Sequence, residues 1–194
     1  VTAAATGFVH EAGFYSGEDG LLPLIVPFVQ SALAADESVV IALGGTHAEM
    51  ARAVLPQSPR ITYLSANYTR PAGTIAALLG VLRANAEVSP GRVRIVGELA
   101  GESMSSGAWG PWARYEAAVN HLYAPFRATA MCAYDTNALP RVVLADIEAT
   151  HPCVARVDGV RFNSLYQEPD AFLQKLSVPP APLEATRVSV ESVD

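Results

Sequence analysis

The chain has 194 residues, 51% of them hydrophobic and only 16% charged, which supplies one large core and excludes a disordered segment. Its formal net charge is -6 and its Lys and Arg form no cluster, which excludes a surface built to bind nucleic-acid phosphates. The longest apolar run, Leu21 to Val29, is too short to span a bilayer and the N-terminus lacks the basic start of a signal peptide, so a cytoplasmic protein with no membrane contact is expected.

The first element, residues 7–15 ("GFVHEAGFY"), reads as a short strand. "SGEDG" follows as a helix start with acidic first-turn residues, and Leu21, Leu24, Ile25, Phe28, Val29 and Ala32 then recur at helical spacing. Pro23 suits a first turn, whereas Pro27 should kink the helix or cost it a hydrogen bond. "SVVIAL" (38–43) is a β-branched apolar run, the mark of a strand buried on both faces. The next helix begins near Thr46, its expected N-cap, and runs through "HAEMARAVL". Residues 60–64 form a strand, 71–88 a helix with Ile75, Leu78, Leu79 and Leu82 on its stripe, and 92–99 a third buried strand. A helix over 108–126, a strand over 128–135, a short helix over 139–151 and short strands around the turn "VDGV" complete the order. The Ser-rich "GESMSSG" reads as a loop. From residue 177 the chain turns Pro-rich and polar, as a linker does.

This alternation predicts an α/β fold of three layers, a mostly parallel sheet with helices on both faces. In such sheets ligands bind outside the carboxyl ends of the strands. Glu98 ends one apolar run. Cys132, Tyr134 and Asp135 end another, and His10 and Tyr15 belong to the first strand. These groups are expected to gather along one edge as a pocket, against the plainer alternative that polar residues mark where strands leave the core. Glu116 and Asn120, four apart on a helix, are either a solvated stripe or a polar pair turned inward. Trp109 and Trp112 read as packing anchors.

No phosphate-binding motif is present: there is no G-x-x-x-x-G-K-[ST] and no G-x-G-x-x-G, and Glu18 and Asp19 would repel phosphate at the first helix start. Neither G-x-S-x-G nor H-E-x-x-H occurs. His10, Glu98, Cys132, Asp135 and His151 are ligand-type residues without diagnostic spacing, so neither metal nor cofactor is expected. Two cysteines without C-x-x-C fit a reducing compartment. A carboxylate near Cys132, from Asp135, should keep its thiol protonated and slow to alkylate.

Several blocks in order, "GFVHEAGFYSGEDGLLPLIVPFVQSAL", "RVRIVGE", "RYEAAVNHLY", "CAYDTNALPRVVLADIEATHP" and "NSLYQEPDAFL", resemble the MEDS sensory domain of methanogens and methylotrophs. The resemblance spans residues 7–176 and sets a sensory domain over 1–176 with a linker over 177–194. It implies a fold related to RecA- and KaiC-type ATPases that has lost its phosphate loop. It further implies an input role in a bacterial anti-sigma-factor-type regulator, ahead of a histidine-kinase-like ATPase domain and acting indirectly on a sigma factor or its antagonist. The positions matching its recurrent polar residues are His10, Tyr15, Glu98, Glu116, Asn120, Cys132, Tyr134, Asp135 and His151. Cys153 stands where the family usually has an aromatic residue. The leading expectation is thus a non-enzymatic sensor of an unidentified small molecule. The alternatives are an interaction or homodimerisation module on a degenerate ATPase fold and, last, an enzyme using Glu98 or Asp135 with His151.

Overall fold

A computed structural model of the chain describes residues 7–64, 70–88, 91–99, 105 and 107–177; the proposed linker after residue 177 and most of the Ser-rich loop lie outside them. The elements are β1 (Val9–Tyr15), α1 (Glu18–Ala34), β2 (Ser38–Ala42), α2 (Gly45–Val54), β3 (Ile61–Tyr63), α3 (Pro71–Val88), β4 (Val93–Glu98), α4 (Trp109–Leu122), β5 (Ala128–Asp135), α5 (Arg141–Thr150), β6 (Cys153–Arg156), β7 (Gly159–Phe162) and α6 (Pro169–Ser177). The strands form one sheet in the order β3-β2-β4-β5-β1-β6-β7. Every pairing is parallel except the β6–β7 hairpin. This is the three-layer α/β fold expected from the alternation of strands and helices.

The layers follow from strand periodicity, which sends successive side chains to opposite faces. Tyr15, Val96, Met131 and Ala133 point to one face and pack with Leu21, Ile25 and Val29 of α1 and Ala51 of α2. Ala12, Phe14, Ile95, Ala130 and Tyr134 point to the other and pack under α3, α4, α5 and α6, with Leu82, Trp112, Ile147 and Phe172 as anchors. Each large side chain so buried contributes about 1.5–3 kcal/mol. The close seat of α1 on β1 requires Gly13, where a Cβ would come within 2.9 Å of Met131 Cγ and 3.0 Å of Leu24 Cδ2.

Helix α1 passes through both Pro23 and Pro27 without ending, and Pro27 costs it a hydrogen bond as expected. The two prolines are four apart and both are exposed, so the carbonyls that lose their partners face water. Thr46 is not the cap of α2: Gly44 is, with no side-chain cap bond, and Thr46 lies inside the helix. Helix α6 was not anticipated as an element. Its apolar Phe172 and Leu173 dock on the other helices of its layer. Among the described residues no helix is long and apolar enough to cross a membrane.

Candidate functional site

Beneath α4, against the face of the sheet, four ligand-type side chains converge from four elements. His10 comes from β1, Glu116 from α4, Cys132 from β5, and His151 from the C-terminal end of α5. One donor atom from each lies within 4.8 Å of all the others. His10 Nε2 is 3.4 Å from Cys132 Sγ and 3.5 Å from Glu116 Oε2, and His151 Nε2 is 3.6 Å from the same carboxylate oxygen. The two imidazole rings stack at 3.9 Å between centroids. His10, Glu116 and His151 are sealed from solvent, while Cys132 keeps partial exposure.

A surrounding set of bonds fixes these groups. Asn120 donates its amide to the carbonyls of Glu116 (3.0 Å) and Thr150 (2.9 Å), which turns its Oδ1 towards His10 Nδ1 at 3.2 Å. His151 Nδ1 lies 2.8 Å from the carbonyl oxygen of Ile147, an atom that can only accept. Both rings therefore carry their proton on Nδ1 and turn an Nε2 lone pair inward. The Tyr134 hydroxyl donates to Glu116 Oε1 at 2.9 Å. The other oxygen, Glu116 Oε2, is buried without a hydrogen bond.

Burial governs the protonation of this group, because a low-dielectric site disfavours every charge. His10 and His151 are both lowered to about 3, by burial above all. Glu116 is pushed up by burial, against the opposing pull of His151 and of the Tyr134 bond. The Cys132 thiol is pushed well up by burial and then by Glu116. The carboxylate acting on Cys132 is thus Glu116 rather than Asp135.

A second polar group lies on the opposite face, at the strand ends. Tyr15 donates its hydroxyl to Glu98 Oε1, and His47 Nδ1 meets Glu98 Oε2 at 2.8 Å. Burial, and then Glu98, pushes the Tyr15 phenol up. Asp135 belongs to neither group as a reactive side chain. Its Oδ1 accepts from the backbone N–H of Gly17 (3.0 Å) and of Asn137 (2.9 Å). It ties the end of β5 to the turn before α1, where Gly17 takes a φ of 68°.

The candidate residues therefore do not share one edge. Tyr15 and Glu98 meet at the strand ends under α1 and α2, with His47, which sequence reasoning missed; its one signal was a histidine just after a buried strand. His10, Cys132 and Tyr134 have the opposite side-chain direction and join Glu116, Asn120 and His151. The Glu116–Asn120 pair faces inward, and Trp109 and Trp112 are both buried, Trp109 donating to Asp146 at 2.9 Å. A narrow cleft with about 30 Å³ of free space runs along β4 under α3 and α4 to Glu98 and Leu99. Its walls are apolar (Phe8, Leu78, Ile95, Val119) and its floor carries His10, Glu116 and Cys132.

The profile of the methanogen/methylotroph DcmR sensory domain, MEDS, matches residues 9–152, well over half of the chain. The chain belongs to the MEDS family. The MEDS match runs from β1 through α5 and includes every residue of the four-residue buried group. No curated protein matched the chain. A MEDS domain is a sensory domain, so a sensory input role follows from membership.

Proposed function

We propose that this MEDS domain is the non-enzymatic input module of a bacterial anti-sigma-factor-type regulator. It binds a small, mostly apolar molecule with one polar end in the cleft along β4. The observation that carries this reading is the cleft itself: apolar walls favour desolvation of the ligand, and three polar side chains at the floor offer one fixed orientation. The free space suits a molecule of only a few heavy atoms.

The output route is α4. Its inner face carries Glu116 and Asn120, and its outer side packs on α6, the last described element. Arg114 Nη2 of α4 donates to the carbonyl of Leu176 at 3.4 Å. A ligand that shifts α4 would thereby move α6 and the chain beyond it, towards a kinase-like output domain. No phosphate loop supports nucleotide binding in this part of the chain.

Thermal melting against short alcohols, aldehydes, amines and thiols tests the proposal. A ligand of the folded state raises the melting temperature with concentration. A Leu78→Trp change, which fills the cleft, should abolish that rise. The sensory reading fails if deleting residues 7–177 leaves the regulator's response to its inducing condition unchanged.

One observation favours the runner-up, an interaction or dimerisation module. The β6–β7 hairpin exposes Val157, Val160 and Phe162, with Leu165 just beyond, an apolar patch at a sheet edge. A chain whose mass in solution is that of a dimer, reverting to monomer on Phe162→Glu, would support that role beside the first.

A further inference from the structure

The buried four-residue group has a chemistry that ligand sensing alone does not explain. Two imidazoles, a thiol and a carboxyl are brought from β1, α4, β5 and the end of α5 to one point with all four donor atoms within 4.8 Å. A purely structural hydrogen-bond network would pair its members. Here Glu116 Oε2, fully buried, has no hydrogen bond. The two Nε2 lone pairs point at the same spot, since each Nδ1–H is already committed to an acceptor. His10 Nε2 has the Cys132 thiol at 3.4 Å and His151 Nε2 has the Tyr134 hydroxyl at 3.5 Å, but nothing donates to Glu116 Oε2 between them. A buried acceptor without a donor costs about 1–3 kcal/mol, more when charged, so this oxygen needs a cation or a proton shared with the rings.

We propose that His10 Nε2, His151 Nε2, Cys132 Sγ and Glu116 Oε2 bind one divalent transition-metal ion of the zinc class in a tetrahedral site. This departs from the expectation that no metal binds. It also goes beyond the sensory reading and does not require a ligand in the cleft.

The distances support it. With ligand bonds of about 2.0–2.3 Å, a tetrahedral ion sets its ligand atoms about 3.3–3.7 Å apart. Three of the six separations, 3.4, 3.5 and 3.6 Å, fall in that range, and the other three are within 4.8 Å, so an ion would draw the group slightly together. The ligand types select the ion. Nitrogen and thiolate sulfur suit zinc and its neighbours and exclude magnesium and calcium, which need oxygen. The charges balance: thiolate and carboxylate bring two negative charges, and the protons they lose on binding pass to solvent.

The supporting bonds have the form that metal sites use. Asn120 holds His10 by Nδ1, the Ile147 carbonyl holds His151 by Nδ1, and Tyr134 holds the non-ligating oxygen of Glu116. Such partners fix ring orientation and raise ligand basicity, and losing one weakens metal affinity about 10–100-fold. Of the three ligands on the cleft floor, Cys132 alone keeps partial exposure. The ion would sit with all four positions filled by protein, its thiolate ligand beside the cleft.

Tag-free protein stripped by a chelator and titrated with Co²⁺ and with Zn²⁺ tests the site. The expected result is about one equivalent bound per chain, tetrahedral visible bands with cobalt, a thiolate-to-cobalt charge-transfer band, and a higher melting temperature with zinc. Cys132→Ser should remove the charge-transfer band, while Cys153→Ser should leave it intact. Asn120→Ala should weaken zinc about 10–100-fold while the metal-free fold, judged by circular dichroism, persists. Wild-type protein that takes up no cobalt or zinc overturns the proposal whatever the variants do. So does a charge-transfer band that survives in folded Cys132→Ser. Loss of ligand-induced melting shifts with metal uptake intact would refute the sensory reading alone.

Discussion

The two polar groups of this domain sit on opposite faces of one sheet and are built on opposite terms. The group of His10, Glu116, Cys132 and His151 is closed over by α4 and keeps its members uncharged through burial. The group of Tyr15, Glu98 and His47 lies at the strand ends, and its carboxylate receives a donor on each oxygen, from Tyr15 and from a partly exposed His47. In the first, Glu116 Oε2 is left without a hydrogen bond, whereas in the second each carboxylate oxygen has its donor. The unpartnered oxygen is where the proposed ion would bind, whereas the matched group is complete as it stands.

The largest expected difference between them is in stability. His151→Ala removes a fully buried ring, its bond to the Ile147 carbonyl and its stack on His10, and should cost about 3–5 kcal/mol by urea unfolding. His47→Ala removes a side chain that is 24% exposed and should cost about 1 kcal/mol or less. Glu98→Gln should cost similarly little, because the amide oxygen still accepts from Tyr15 and His47 can change tautomer to accept from the amide. Equal costs on the two faces would erase the distinction.

The pH dependence of stability sharpens it. For His10 and His151, lowered from 6.5 to about 3, the unfolded chain takes up protons that the folded chain refuses. Between those values stability therefore rises with pH, by up to about 1.4 kcal/mol per unit for each histidine. Carboxyls raised by burial act in the opposite sense. Glu11 is raised from 4.5 to about 7, by burial against the pull of Arg94, and Glu116 is raised too. Their contribution is complete below 4.5 and is lost as pH rises towards the folded value. In metal-free protein the terms oppose one another from 4.5 to 6.5, and the steepest acid loss falls below 4.5, where the histidines act alone. A urea midpoint that falls most steeply above pH 4.5 instead would contradict the burial of the two imidazoles.

A smaller effect isolates Glu11, which lies on the α1 face with one oxygen unpartnered. Glu11→Gln should stabilise the domain by about 1–3 kcal/mol near pH 8 and change little near pH 5. No gain at the higher pH would mean that the carboxylate is already satisfied. Thiol labelling gives a kinetic comparison: Cys132, raised by burial and Glu116, should alkylate more slowly than half-buried Cys153. The smallest expected effect is none at all. Mg-ATP should not shift the melting temperature, because α1 begins with Glu18 and Asp19 where a phosphate loop would need amide donors free of negative charge.

Much of the fold was legible because apolar runs such as Val93–Val96 and Val39–Ala42 leave little choice but buried strands, and their spacing with helices dictates parallel pairing. The site was legible only as a set of residues. Side-chain direction alternates along a strand, so Tyr15 and Tyr134, each near the end of its strand, face opposite layers, and no count along the chain reveals which residues share a face until the register is known. His10 and His151 meet through strand order, not spacing, so no metal-ligand motif could register. Glu116 and Asn120 were visible as a pair, but whether they faced water or core depended on where α4 docked. His47 escaped notice because its role comes from Glu98, two strands further along the chain.

The place of β1 has a consequence for how the protein is made. It leaves the ribosome before the other strands of its sheet, yet its two neighbours are β5 and β6, which come much later. Throughout synthesis of everything between, β1 has no native edge to join, and an unpaired apolar strand in that interval invites pairing with other nascent chains. His10 and Glu11 stand near the start of this waiting strand. In the nascent chain both are hydrated and can carry charge, which guards the segment against premature association. Once β5 and β6 arrive, the same two side chains are buried on opposite faces of the finished sheet.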